Sequence, residues 1–205
     1  MTLAIAVIFI VSARGQGFLN LDFESAQNLP GNPGPDGALV SVTDALLGWT
    51  AYDGDLALSS IYYVSNSLGR AQNPELEGGS LALSGDYSVG IYPGGSISQT
   101  GLVPDNAESL QFEADITGPI NFFAVTLGGQ KLSYSALSEG PDYTVYGANI
   151  PAGMDGQMEA LAFSSGGDNL LDNIEFSSMS VPEPSQFALV GLGAILFGLR
   201  RLRRA

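Results

Sequence analysis

The sequence predicts an all-β domain built as an antiparallel two-sheet sandwich, and three observations support this prediction. From residue 18 onward, short runs alternate apolar and polar residues, as expected for strands with one buried face. Glycine, proline, asparagine and aspartate separate these runs, and no stretch keeps a helical apolar stripe over three turns. About a dozen short strands with turn residues between them in one domain favour a two-sheet antiparallel sandwich.

The alternation defines the predicted strands individually. In chain order they are Asn20–Glu24, Leu46–Thr50, Leu56–Val64, Ser80–Leu83, Ser88–Tyr92, Ser96–Thr100, Ser109–Ala114, Asn121–Leu127, Lys131–Ala136, Tyr143–Ile150, Met158–Ser164 and Asp172–Ser177. An immunoglobulin-like topology is the competing interpretation, but the chain lacks the Cys-Trp-Cys pattern of those domains.

Residues 1–15, MTLAIAVIFIVSARG, predict a signal peptide that forms an N-terminal signal helix. Small residues at Ala13 and Gly15 suit a cleavage pocket. The positive segment that normally precedes the apolar run is missing, so we expect the true start to lie upstream of Met1. The alternative is a buried first strand. The sandwich domain is predicted to span residues 16–177.

The predicted domain is strongly acidic. The whole chain carries a formal net charge of -14, and all but one of its 21 acidic residues lie between residues 16 and 181. Arg70 and Lys131 are the only basic residues in that range. Nucleic acid and anionic lipid are therefore poor partners, because no basic patch can neutralise their phosphates. Cations are the better-matched partners.

Cysteine and histidine are both absent from the sequence. Their absence excludes disulfides, thiol or histidine-dependent nucleophilic triads, and zinc sites built from nitrogen and sulfur ligands. A metal would have to be a hard, calcium-like cation with oxygen ligands, and an enzyme would have to use carboxylates or hydroxyls. No nucleophile elbow, P-loop or dinucleotide fingerprint is present.

Three features follow one another at the C-terminus. Residues 178–185 predict a linker that contains the triplet Pro182, Glu183 and Pro184, and residues 186–205 include an uncharged apolar run from Phe187 to Leu199. As a helix this run covers about 20 Å, whereas the hydrocarbon core of a bilayer is about 30 Å thick. We therefore expect a short transmembrane helix. The basic cluster that follows it, which should stay on the cytoplasmic side, consists of Arg200, Arg201, Arg203 and Arg204.

The order of triplet, apolar helix and basic cluster resembles the PEP-CTERM sorting signal of Gram-negative bacteria. The resemblance implies that an exosortase, a membrane-embedded processing enzyme, acts at the triplet. It also implies a precursor anchored transiently in the inner membrane and a mature protein at the cell surface or outside the cell. The alternative is an ordinary single-pass tail anchor with a proline-rich stalk, which would not need so short a helix.

A second resemblance covers most of residues 20–177. The segments LNLDFESA, GSLALSG and AGMDGQMEALAFSS, followed by NLLDNIEFSS, resemble the galactose-binding-like jelly rolls of exported bacterial proteins. This resemblance implies a jelly-roll sandwich of the kind found in many carbohydrate-binding modules. In related jelly rolls an acidic residue of the opening strand and an aspartate of the closing strand share a structural calcium. The matching positions here are Glu24 and Asp172; the alternative is that both are solvated strand-end carboxylates.

Aromatic residues predict a second kind of site. Sugars stack their C–H faces on flat rings, so exposed aromatic residues beside polar side chains would form a glycan-binding cleft. Trp49 has an alternative interpretation as a buried core residue that closes a strand end. The candidates for glycan binding are Trp49, Tyr52, Tyr62, Tyr63 and Tyr92.

Taken together, these patterns predict an exported, non-enzymatic protein of the cell surface or extracellular matrix that is structural or contacts polysaccharide. The alternative is a secreted carbohydrate-active enzyme or an accessory module of one. Glycoside hydrolysis requires two carboxyl groups about 5 to 10 Å apart, but the sequence singles out no such pair among its many acidic residues.

Overall fold

A computed structural model describes residues 17–34, 36–65 and 73–182, and within them the chain folds as a β-sandwich. The strands are β1 (Ala38–Ser41), β2 (Thr50–Asp53), β3 (Leu56–Ala57), β4 (Ser60–Val64), β5 (Glu75–Gly78), β6 (Tyr87–Ile91), β7 (Gly95–Leu102), β8 (Ser109–Ile116), β9 (Phe123–Leu127), β10 (Gln130–Leu132), β11 (Tyr134–Glu139), β12 (Thr144–Asn149), β13 (Met158–Ser165) and β14 (Asn169–Ser177). A one-turn helix, α1 (Val42–Ala45), follows β1, and 3-10 turns occupy Gly79–Leu81 and Ile120–Phe122.

Two sheets form the sandwich. One has eight strands in the order β1-β4-β5-β6-β14-β8-β12-β11, and the other has six in the order β10-β9-β13-β7-β2-β3. Among these paired strands, only β4 and β5 run parallel; the other pairs are antiparallel. The prediction of an all-β fold with two largely antiparallel sheets is confirmed.

Aromatic side chains join the two sheets at the centre of the core. Phe112 of β8 lies in the eight-stranded sheet, and its ring centroid is 5.5 Å from that of Phe163 in β13 and 6.0 Å from that of Phe123 in β9. All three side chains are fully buried. Such pairs stabilise the packing of the sheets beyond the burial of their surface alone.

The predicted opening strand, Asn20–Glu24, is wrong, because this segment forms turns. Asn20 and Phe23 have positive φ angles of 48° and 56°. The Asn20 side-chain oxygen accepts a hydrogen bond from the Ser25 N–H at 2.8 Å, and the Asp22 carboxylate accepts one from the Glu24 N–H at 3.3 Å. Asparagine and aspartate side chains favour turns through such local bonds. The opening segment still contacts the last strand, because the Ile174 N–H of β14 donates a 2.9 Å hydrogen bond to the Leu21 carbonyl.

Other predicted strand boundaries differ from the observed ones where a short polar segment interrupts a predicted strand. Ser80–Leu83 is a 3-10 turn and loop, and most of Leu46–Thr50 precedes β2. Leu56–Val64 divides into β3 and β4, and Lys131–Ala136 divides into β10 and β11, which belong to different sheets. Strands β1 and β5 were not predicted.

Several predicted segments lie outside the described residues. These are the signal helix in residues 1–15, Glu183 and Pro184 of the triplet, and the apolar helix with its arginine cluster in residues 186–205. None of the helices in the described ranges has the length and apolar character that a membrane span requires.

Candidate functional site

Four polar residues form a row across the eight-stranded sheet. Glu77 of β5 lies opposite Ser88 of β6, and Asp172 of β14 lies opposite Glu113 of β8. The Ser88 hydroxyl donates a 2.8 Å hydrogen bond to Asp172 Oδ2 and so links the two halves of the row. We call Glu77, Ser88, Asp172 and Glu113 the acidic row.

The acidic row lies on the face of the sheet that points away from the core. Side chains alternate along a strand, and the neighbouring residues Leu76, Val89 and Leu171 are buried in the core. Glu77 and Asp172 are nevertheless almost fully buried, with exposed fractions of 0% and 1%. The chain between β5 and β6 packs over them, since the Ser84 N–H donates a 3.2 Å hydrogen bond to Asp172 Oδ2.

Asp172 is a buried carboxyl group with its oxygens already hydrogen-bonded. Oδ2 accepts from Ser84 and Ser88, and Oδ1 accepts from the Asn173 N–H at 2.7 Å. Burial raises the pKa of the Asp172 carboxyl to about 7 even though these hydrogen bonds lower it, and the nearby charge of Glu113 raises it further. Asp172 therefore holds a proton well above the pH at which an ordinary aspartate loses it.

Glu77 is the second buried carboxyl group of the row. Its Oε1 accepts a 2.6 Å hydrogen bond from the Tyr92 hydroxyl, and its Oε2 is buried and has no hydrogen-bond partner among the residues that the structure describes. Burial raises the pKa of Glu77, and the bond from Tyr92 lowers it by a smaller amount. Gly90 leaves space for this pair, because a Cβ there would lie 2.5 Å from Glu77 Oε1 and 2.9 Å from the Tyr92 hydroxyl oxygen.

Glu113 connects the acidic row to the hairpin loop between β11 and β12. The Asn173 side-chain amide donates a 3.2 Å hydrogen bond to Glu113 Oε2. Tyr143 lies at the end of that loop, and the charge of Glu113 is the main cause that raises the pKa of its phenol. The loop closes on itself through a 2.8 Å bond from the Gly140 N–H to the Tyr143 carbonyl.

An open cleft of about 700 Å³ lies beside the acidic row. The segment after β5 forms one wall of the cleft, and the β11–β12 loop forms another. The C-terminal end of β8 and the N-terminal end of β14 complete the lining. Its lining contains three carboxylates, two tyrosines and a serine hydroxyl. The lining residues are Glu77, Ser80, Leu81, Ala82, Leu83, Ala114, Asp115, Ile116, Gly140, Pro141, Asp142, Tyr143, Thr144, Tyr146 and Leu170.

None of the aromatic residues predicted to bind glycan lines this cleft. Trp49 is 4% exposed; its ring packs near Phe23, and its indole N–H donates a 3.1 Å bond to the Asn20 carbonyl. Trp49 is thus a core residue, as the alternative interpretation held. Tyr63 and Tyr92 are buried as well, whereas Tyr52 and Tyr62 are partly exposed on different sheets.

The sequence did not single out Tyr143, Asp142, Asp115 or Glu113. The hairpin-like stretch GPDY at residues 140–143 is the one sequence signal that could have found the loop, because it predicts a turn that carries an aromatic residue and a carboxylate.

Glu24, predicted to share a calcium with Asp172, contacts the same covering segment. Glu24 Oε1 accepts hydrogen bonds from the N–H groups of Asp86 at 2.8 Å and Tyr87 at 3.0 Å. Both predicted ligands therefore already accept N–H or O–H donors of the chain, which stabilise the carboxyl groups without a cation. Across the described ranges, no group of three or more acidic side chains is placed to hold a metal ion. This arrangement does not favour a calcium ion between Glu24 and Asp172, and the calcium site there stays a hypothesis that the family resemblance implies.

The fold and the site define an acidic all-β sandwich with a polar cleft beside a row of buried carboxyl groups. The comparison with protein families then finds the PEP-CTERM protein-sorting motif at residues 180–204. This motif is the recognition signal for exosortase processing, and it marks proteins that reach the cell exterior through a membrane-anchored precursor. No curated protein matches the chain significantly. Pro182, the one residue of the triplet within the described ranges, is exposed at the end of the domain.

Proposed function

We propose that the chain is a non-enzymatic protein of the cell surface or extracellular matrix whose sandwich binds neutral polysaccharide in the cleft beside the acidic row. The observation that carries this proposal is the open cleft of about 700 Å³, which is large enough for several sugar units and is lined by hydroxyl and carboxylate groups around Tyr143. The finer assignment of the sandwich to the carbohydrate-binding jelly rolls is part of the same proposal.

The chemistry of the lining supports a sugar ligand. Asp115, Asp142 and Ser80 are exposed, so their oxygens can bind sugar hydroxyls without losing internal partners. Tyr143 and Leu170 are partly buried and offer an apolar surface for C–H groups. A cleft with hydrogen-bonding groups around an apolar patch is typical of binding sites that orient a polar ligand.

The charge of the cleft supports a neutral polysaccharide over an anionic one. Glu77, Asp115 and Asp142 all line it, and the whole chain has a formal net charge of -14. Uronate or sulfated polymers would meet like charges along the cleft and the surrounding surface. Repulsion of this kind reduces the association rate and disfavours wrong partners.

The test is binding of the mature protein, purified from its surface fraction, to soluble polysaccharides by affinity electrophoresis and calorimetry. We expect retention by at least one neutral glucan, galactan or mannan and none by a polyuronate. Tyr143→Ala and Asp142→Asn should each weaken binding about tenfold, whereas Tyr52→Ala on the other sheet should leave it unchanged. Absence of binding to every neutral polymer, or equal binding by Tyr143→Ala, would refute the proposal.

A carbohydrate-active enzyme is the second candidate, and one observation favours it. Asp172 has its pKa raised to about 7 and lies opposite Glu113, and a protonated carboxyl beside a second carboxylate is what glycoside hydrolysis requires. However, Asp172 is 1% exposed and its oxygens accept bonds from three groups of the chain, so it has no route to a substrate. Release of reducing sugar that is lost in Asp172→Asn and in Glu113→Gln would establish the enzyme and displace the binding protein.

A further inference from the structure

Residues 179–181, which follow β14 and precede the triplet, are held against the domain by side-chain hydrogen bonds. The Ser109 hydroxyl donates a 2.7 Å bond to the Met179 carbonyl. Asn149, the last residue of β12, binds Val181 twice: its amide nitrogen donates to the Val181 carbonyl at 2.9 Å, and its amide oxygen accepts from the Val181 N–H at 2.6 Å. One asparagine therefore satisfies both backbone groups of Val181, as a neighbouring strand would.

The Val181 side chain fits a notch in the same face of the sheet. Val181 is 8% exposed. A Cβ at Gly147 would lie 2.7 Å from Val181 Cγ2 and 2.7 Å from Leu137 Cδ1, so only glycine leaves room for both side chains. Hydrogen bonds and apolar burial thus act on the same residue, and each reinforces the other. We call Asn149, Gly147 and Leu137 the docking notch.

The docking notch shortens the tether between the domain and the membrane. The predicted linker began at residue 178, but the chain is fixed as far as Val181. From Pro182 to Phe187, where the apolar run begins, an extended chain spans at most about 17 Å. If residues 178–182 were released from the notch, the tether would begin at Ser177 and reach about 35 Å. Docking therefore leaves little free chain before the triplet.

We propose that the docking notch controls processing at the Pro-Glu-Pro triplet, with Asn149 as the residue that positions the segment. The sorting motif spans residues 180–204, so its first residues are those bound in the notch. A processing enzyme must enclose the backbone on both sides of the bond that it cleaves, and Val181 cannot be enclosed while its N–H and carbonyl groups are bonded to Asn149. Processing then requires that the segment first leaves the notch. This inference rests on exosortase processing at the sorting motif, but not on the proposed polysaccharide binding.

The experiment follows the full-length precursor in a host that carries the processing enzyme. Pulse labelling and immunoblotting give the half-time for conversion of precursor to mature protein. Asn149→Ala removes both bonds to Val181, and we expect conversion about three- to tenfold faster, since each bond contributes a modest net free energy. Asn149→Asp keeps the oxygen acceptor and loses the amide donor. Its half-time should therefore fall between those of the unmodified precursor and Asn149→Ala.

Asn73→Ala is the matched control for a general loss of stability. Asn73 also exchanges hydrogen bonds with backbone groups, donating to the Tyr92 carbonyl at 2.9 Å and accepting from the Tyr92 N–H at 2.8 Å. It lies before β5 and does not contact the segment after β14 through these bonds. We expect Asn73→Ala to be processed at the rate of the unmodified precursor, even if its unfolding midpoint falls as far as that of Asn149→Ala.

Amide exchange of Val181 provides a second, direct measurement on the same proteins. We expect protection in the unmodified chain and in Asn73→Ala, and loss of protection in Asn149→Ala. If amide exchange shows that Val181 is released in Asn149→Ala, but this variant is processed no faster than the unmodified precursor, the proposal is overturned. If Asn73→Ala accelerates processing as much as Asn149→Ala does, the proposal is also overturned, because the stability of the whole domain would then set the processing rate. If neither the unmodified precursor nor any variant is processed, the C-terminal segment does not act as a processing signal, and control of processing by the docking notch fails with it, even if Val181 is protected from exchange.

Discussion

Glu24 and Asp172 bind the same short segment of the chain that covers the acidic row. Glu24 accepts the N–H groups of Asp86 and Tyr87, while Asp172 accepts the Ser84 N–H and the Ser88 hydroxyl. Two carboxyl groups far apart in sequence thus satisfy donors within five consecutive residues. The segment lies over the outer face of the sheet because these acceptors hold it there.

Replacing Glu24 should destabilise the domain through that segment. Glu24→Ala leaves the N–H groups of Asp86 and Tyr87 to water, and we expect a loss of about 1–2 kcal/mol in the free energy of unfolding, because the bonds involve a charged acceptor at an exposed position. Urea denaturation of the mature protein measures this loss. Asp36→Ala removes another exposed carboxylate and should change stability by less than about 0.5 kcal/mol. Equal losses in the two variants would contradict the account.

Gly85 should tolerate substitution poorly because of Glu24. Gly85 has a φ of 61°, and a Cβ there would collide with the Glu24 carboxylate. Gly54 has a φ of 57° but open space around it, so Gly54→Ala measures backbone strain alone. We expect Gly85→Ala to lower the unfolding midpoint more than Gly54→Ala, and the added Glu24→Ala substitution to cost less in the Gly85→Ala background than alone. Additive effects in this double-mutant cycle would show that the two residues do not interact.

The raised pKa of Asp172 predicts how stability depends on pH. The unfolded chain releases this proton near the ordinary pKa of 3.8, whereas the folded chain keeps it until about pH 7. Between these values the folded state binds more protons than the unfolded state, so this contribution is fully present below about pH 4 and is lost as the pH rises to 7. The raised pKa of Glu77 acts in the same direction.

Asp172→Asn, which resembles the protonated carboxyl, should remove most of this dependence. We expect the unmodified protein to lose on the order of 3 kcal/mol between pH 4 and 7 from Asp172, and the variant to show a much flatter profile. Urea midpoints measured across that range provide the test. A variant profile as steep as that of the unmodified protein would mean that Asp172 ionises normally in the folded state.

Calcium should have little effect on the stability of the sandwich. Glu24 and Asp172 accept backbone and hydroxyl donors, so both carboxyl groups are already stabilised without a cation. We expect equal thermal midpoints for the mature protein in millimolar calcium and in chelator. A higher midpoint in calcium that disappears in Glu24→Gln and in Asp172→Asn would instead support the calcium site that the family resemblance implied.

Much of the fold could be predicted from the sequence because most strands have one face in the core. The alternation in β8, β9 and β13 places Phe112, Phe123 and Phe163 inward, and these residues join the sheets. Strand β5 was missed for the opposite reason. Its outward residues Glu75 and Glu77 are both buried, so a stretch rich in glutamate predicts a solvated segment although both of its faces are inside.

The candidate site could be predicted only in part. Glu24 and Asp172 do act on one region, but the sequence could not indicate that backbone N–H groups rather than a cation lie against them. The segment LDFE shows the limit of periodicity: Phe23 is buried and Glu24 exposed, as alternation predicted, although a positive φ at Phe23 makes the segment a turn. The cleft around Tyr143 depends on two loops that meet across the sheet, and this contact has no local sequence pattern.

The mass of the mature protein tests the central claim, that the C-terminal segment is a sorting signal removed by processing. The protein is recovered from the surface fraction of a host that carries the processing enzyme, and its C-terminus is identified by intact mass and peptide mass spectrometry. The account predicts a C-terminus at or near Pro184, with the apolar run and the arginine cluster missing. Recovery of the intact end, Arg203, Arg204 and Ala205, from that fraction would contradict it.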